Sequence, residues 1–159
     1  MDILKVLDET NLETLPRYES LTDDAKRTFL LKIQKTKLFL EKRENRYKFN
    51  DWLKQIIINL LYADETFKWI KYSRDSNNFN KDGYYYKLLV YFNDASKQKD
   101  AKLYYYTFLF IIYSLNFLEI IEHKVGFYDR EKNEGIESRF VFSGYGRNLF
   151  SVIEEDRSV

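Results

Sequence analysis

One stretch limits what this chain can fold into more than any other. Residues Leu103 to Ile121 read LYYYTFLFIIYSLNFLEII, with no charge before Glu119. It is the longest uncharged run in the sequence. The run approaches the length of a membrane span, and Lys97, Lys99 and Lys102 precede it. A span, however, takes about twenty predominantly apolar residues, and Ser114 and Asn116 interrupt this one. The run is therefore expected to be the central core helix, with its surplus aromatics forming a surface for a partner.

Composition favours a helical domain around that run. The chain has one Pro and five Gly in 159 residues, so few turns are sharp. Its long apolar segments suit helices better than a many-stranded sandwich. The length fits one domain with a sizeable core. Aromatics reach 18%, which puts much of the apolar surface on Tyr and Phe, and a buried Tyr needs a partner for its hydroxyl. Cys is absent, which excludes disulfides, thiol nucleophiles and Cys-ligated zinc. The segment MDILKVLDETNLE has no basic stretch followed by an apolar run, so no secretory signal is read and a cytoplasmic location is expected. A net charge of +1 is neutral on nucleic acid. Lys, Asn, Ile, Tyr and Phe are abundant while Ala, Gly and Pro are scarce. That bias reads as an AT-rich coding genome, such as that of some bacteria, their phages or plasmids.

Residues 1–24 are acidic, with a short helix expected at 2–8 and a loop around Pro16. Thr22 is placed to cap a helix over 23–45, with Asp23 and Asp24 in its first turn. Phe29, Leu30, Ile33 and Leu40 mark its apolar side. At 100° per residue, Lys32, Lys35, Lys42, Arg43 and Arg46 fall on the opposite side. Asn50 can cap a second helix over 51–63, and residues 64–72 fit a strand or a helix equally. A loop is expected at 73–83, a helix at 84–92, and a polar segment at 93–100 with Ser96 or Asp100 capping the central helix. After Ile121 the period becomes two. His123, Val125 and Phe127 share one face of a strand, 129–135 form a turn, and Ile136, Ser138, Phe140 and Phe142 share one face of the returning strand. A last helix is expected at about 144–155. The expected fold is mostly α, of the α+β kind. It is a single domain over 1–159, with a helical part over 1–92 and a part over 93–155 built around the hairpin.

The order helix, strand, charged turn, strand, helix over 101–155 ends in SRFVFSGYGRNLFSVIEE. It resembles the C-terminal half of winged-helix domains of the MarR or PadR type. In that family a Leu-Thr-x-x-Gly-like turn caps the last helix, and Phe142, Ser143 and Gly146 hold the corresponding places. The resemblance implies a winged-helix-like hairpin and a helix before it that lies in the DNA major groove, where polar side chains reach base edges. This chain departs from that pattern. The helix slot offers Tyr104, Tyr105, Phe108, Leu109, Ile112 and Leu115. The wing sets Asp129, Glu131, Glu134 and Glu137 against Arg130, Lys132 and Arg139, where a grip on phosphate wants cations.

Catalytic readings find little support. His123 is the only histidine, and no partner clusters near it in sequence. Glu122-x-Lys124 could end a PD-(D/E)xK nuclease motif with Asp94 or Asp100 upstream, but a helix intervenes where that motif needs a strand. No Gly-rich phosphate loop, nucleophile elbow or metal-ligand spacing occurs. No enzyme, metal or cofactor is therefore expected. The leading expectation is a non-catalytic interaction protein that binds another macromolecule. A phage or mobile-element inhibitor of a host nucleic-acid-targeting protein, alone or bound to its nucleic acid, fits the profile. Its contact would be Lys32, Lys35, Lys42, Arg43 and Arg46, whose spacing suits broad electrostatic contact rather than base readout. The competing bland reading pairs that face with the acidic N-terminal segment. The alternative function is a dimeric winged-helix transcriptional regulator touching DNA through Arg130 and Lys132. A membrane partner is not expected, and a homodimer is compatible with either reading.

Overall fold

A computed structural model describes residues 2–14, 16–72, 83–94, 100–129, 131–132 and 134–157. These are mostly helical, with a three-stranded antiparallel sheet and a two-stranded one. The chain divides into two compact units, each made of two segments. The first is Met1–Ile56 with Lys99–Leu118; the second is Ile57–Gln98 with Glu119–Val159. The seam expected between 92 and 93 coincides with none of the three boundaries. The loop expected over 73–83 lies outside the described residues apart from Gly83, as does Ser96.

The first unit holds α1 (Ile3–Glu9), a 3-10 turn (Leu12–Thr14), α2 (Pro16–Glu19), α3 (Asp23–Glu41), the first part of α4 (Arg43–Glu65), and α6 (Ala101–Phe117). Thr22 caps α3 by accepting the Ala25 N–H at 3.3 Å. Where a loop was expected around Pro16, the chain makes the short helix α2. The predicted 23–45 helix stops at Glu41 because Lys42 is extended. The Asn45 amide then donates to Phe39 O at 2.9 Å, the carbonyl that a continuous helix would have paired with the backbone. So α4 begins at Arg43, and Asn50 lies inside it rather than at its cap. Its side chain instead accepts the Ile3 N–H at 2.7 Å, at the start of α1, which Asp2 caps.

The run that opened the sequence is α6, and it packs against α1 and α3. Ten of its residues are buried, Phe108, Ile111, Ile112 and Leu115 completely. Tyr104 joins Phe39, Phe49 and Trp52 in a cluster of rings whose centroids lie 5.0–6.2 Å apart. Its hydroxyl accepts from Lys48 Nζ at 3.0 Å. The surplus aromatics therefore face the core, which corrects the expectation that they form a partner surface. The helix ends four residues early, since Glu119 takes a left-handed backbone with φ 63°. Thr36 on α3 is buried, and its hydroxyl has no hydrogen-bond partner among the described residues. An unpaired buried hydroxyl costs about 1–3 kcal/mol. Thr36→Val, nearly isosteric, is expected to raise stability by about 1 kcal/mol, seen as a higher urea midpoint at unchanged slope.

The second unit holds the end of α4, β1 (Ile70–Tyr72), α5 (Tyr84–Tyr91), β2 (Ile121–Lys124), β3 (Phe127–Asp129), β4 (Glu134–Ile136), β5 (Ser138–Phe142) and α7 (Gly144–Arg157). Of the two readings open for 64–72, the chain uses both in turn: helix to Glu65, then strand from Ile70. Strands β2 and β5 pair from Ile121↔Phe142 to Lys124↔Arg139, and the hairpin resumes at Phe127↔Ile136 with two residues on each side between. Nothing is inserted on either strand, so one register runs through the hairpin. Strand β1 adds to the other side of β5, giving the order β1-β5-β2. The inner face carries Phe140, Phe142, Ile121 and Tyr72, all buried, with Phe142 stacked on Phe150 of α7 at 5.8 Å. Towards the hairpin tip the expected apolar face comes out of the core: Val125 and Ile136 are exposed. Ser143 caps α7 by accepting the Gly146 N–H at 3.0 Å, while its own hydroxyl donates to Glu119 O at 2.5 Å, with Ile120 O also in reach at 3.0 Å.

Candidate nucleic-acid interface

The break at Lys42 rearranges the expected basic face. Lys35 stays exposed on α3, but Lys32 is half-buried with its ammonium 4.8 Å from the Tyr106 ring centre. Lys42, Arg43, Glu44 and Tyr47 line an open hollow of about 400 Å³ at the start of α4. Arg43 and Arg46 lie 5.3 and 5.9 Å from the Tyr47 ring, and Arg43 Nε donates to the Tyr47 hydroxyl at 3.2 Å. The five expected cations are thus divided between two helices and a non-helical residue, not aligned on one. The link to the acidic N-terminal segment is made by a residue outside that set, Lys37, 3.1 Å from Asp8. Of the wing residues, Lys132 is exposed and Arg130 lies outside the described residues.

A second cationic group stands in the second unit, and the sequence reading missed it. Lys71 on β1 faces Arg139 on β5, and Arg139 faces Lys124 on β2. Residues directly opposite in antiparallel strands project to the same side, so three cations form one row across the outer face of the sheet. Like charges in that relation are destabilising. Among the described residues none of the three forms an ion pair. The Trp69 indole reaches across the row, with Lys124 Nζ at 5.2 Å and the Arg139 guanidinium at 5.9 Å from its ring centre. The π face offsets part of the repulsion. Glu122, two residues from Lys124, acts instead on Arg147, whose guanidinium is held above its ordinary value first by its hydrogen bond to Asp64.

Just before this row α4 ends in a tight C-terminal turn. Lys68 N–H donates to Ala63 O at 3.0 Å and Phe67 N–H to Asp64 O at 3.3 Å. Such a turn puts the residue after the cap into the left-handed region, where glycine is usual. Here that residue is Phe67, with φ 54° and 93% of its surface exposed. A left-handed backbone costs a non-glycine residue about 1–2 kcal/mol. The exposed ring recovers none of this by burial.

The groups weighed for catalysis lie elsewhere. His123 Nε2 is 2.6 Å from the hydroxyl of the buried Tyr72 and its ring is stacked on the tyrosine, a packed hydrogen-bonded pair. Among the described residues no three His, Asp or Glu side chains come together as metal ligands, and no helix is long and apolar enough to cross a membrane. In comparisons with known proteins, no family model, curated protein or solved structure matches the chain.

Proposed function

We propose that the chain is a non-catalytic cytoplasmic binding protein, a winged-helix variant that engages nucleic acid through its second unit. The sheet order is the observation that carries the reading. Strand β1 precedes α5 and α6 in the chain, yet it joins the returning hairpin strand β5 rather than β2. A winged helix completes its sheet in the same way, and its last helix is capped as Ser143 caps α7. In this variant α6 reads no bases, because the side chains in its middle are buried. Contact falls to the hairpin and the sheet, with Arg130 and Lys132 as the phosphate contacts.

Titration of labelled DNA and RNA oligonucleotides by fluorescence anisotropy tests this. Affinity is expected to fall linearly with salt on logarithmic axes. Lys132→Glu is expected to weaken binding of every sequence alike and to reduce the salt slope by about one. Absence of binding to any oligonucleotide at about 50 mM salt, where phosphate contacts are strong, overturns the proposal.

A protein partner is the second reading, favoured by exposed Tyr47 with Arg43 and Arg46 both against its ring. Exposed Tyr and Arg are the residue types that dominate protein interfaces. A partner captured from the host by the native chain and lost with Arg43→Glu and Arg46→Glu together would support that reading, as an inhibitor of a host protein requires.

A further inference from the structure

We infer that the corner where α4 turns into β1, together with the outer face of the sheet, is a binding site for single-stranded nucleic acid. This rests on the nucleic-acid reading above and names the place and the kind of strand. Two independent observations meet there. The first is the row Lys71–Arg139–Lys124, three cations opposite one another on adjacent strands with no ion pair among the described residues. Strands lie about 4.8 Å apart, so the row spans roughly 10 Å, and a chain of regularly spaced anions can follow it. The second is Phe67, a bulky ring held fully out in solvent on a left-handed backbone that glycine would occupy without strain. Burial and helix capping give no reason for a phenylalanine at that position.

An unpaired base gives such a ring a role. Every base has a π face, and stacking on an exposed aromatic is the sequence-tolerant way proteins hold single strands alongside a cationic track. Phe67 stands four residues before Lys71, with Trp69 between them against Lys124 and Arg139, so a free ring and phosphate-neutralising cations follow one another along the chain. A duplex keeps its base faces stacked on one another and leaves Phe67 without a use. An acidic chain without aromatic side chains, such as poly-glutamate, would meet the cations but has no flat ring system to lay on Phe67.

The test uses the full chain with a labelled single-stranded oligonucleotide, the matching duplex and poly-glutamate as probes. Phe67→Gly is expected to keep or raise the thermal midpoint while weakening single-strand binding about tenfold, the typical loss of one stacked base. Lys71→Glu with Lys124→Glu, both exposed, is expected to weaken binding further and to reduce the salt slope by about 1.4, since each contact to a single strand contributes about 0.7. Native chain that binds the oligonucleotide while both variants bind it equally well overturns this site and leaves the proposed function standing. Native chain that binds no nucleic acid overturns both. Preference for the duplex, or for poly-glutamate, with Phe67→Gly unaltered, also overturns the single-strand site.

Discussion

Gly126→Ala is expected to disrupt the hairpin and to cost about 2–4 kcal/mol, the upper range for forcing extra volume into a packed site. The glycine lies at the interruption between β2 and β3, and it is buried. An added Cβ would sit 2.1 Å from Ile136 O, 2.5 Å from Ser138 N and 2.6 Å from Glu137 C. All three are backbone atoms of the opposing strand, so no rotamer change relieves the clash. The two strands approach so closely here that the Gly126 N–H is taken up by the Ser138 side chain at 2.8 Å. Separating them pulls Lys124 and Arg139 apart, since these face each other just inside the interruption. The variant should therefore lose nucleic-acid affinity as well as stability. Urea melts followed by circular dichroism read the first effect and anisotropy titration at low temperature the second. A midpoint and affinity within error of the native chain would show that the close approach at Gly126 is dispensable.

That glycine also marks how far the fold was legible. A period of two after Ile121 identified both hairpin strands and their shared faces, because alternation reports directly on a half-buried strand. It left β1 open between strand and helix, since Ile70–Tyr72 is too short for period two to stand out. The row Lys71–Arg139–Lys124 exists only once register is known. The alternation of Phe67, Trp69 and Lys71 with Lys68, Ile70 and Tyr72 suits a strand but does not say which strand it pairs with. The single helix assumed beneath the basic residues at 32–46 was misread for the opposite reason. Projection at 100° per residue assumes an unbroken helix, and the break at Lys42 has no Pro or Gly to announce it. It depends on Asn45 reaching back to Phe39 O, and a side-chain cap of that kind shows only in three dimensions. Capping by Thr22 was readable because it is local: acceptor and donor are three residues apart. Asn50 has the same chemistry, but its donor is 47 residues away.

The fate of the long apolar run gives the other large expected effect, Trp52→Ala. Trp52 is completely buried, with the Phe49 ring at 5.1 Å and the Tyr104 ring at 6.2 Å. Tyr104 stands near the start of α6, so the indole is part of what that helix packs against in the first unit. Truncating a buried Trp removes its transfer free energy and leaves a cavity that rigid neighbouring rings fill poorly; the usual loss is about 3–5 kcal/mol. Against a typical total of about 5–15 kcal/mol, that leaves a marginal protein. The urea midpoint should fall steeply. Trp52→Phe, which keeps a ring in the cluster, should recover part of the loss. Every residue of the cationic strip belongs to the second unit. Protein still folded at low temperature is therefore expected to bind single-stranded oligonucleotide with native affinity and to keep the emission of Trp69. A Trp52→Ala variant of native stability would mean that the ring cluster around Tyr104 is not the core that the uncharged run builds.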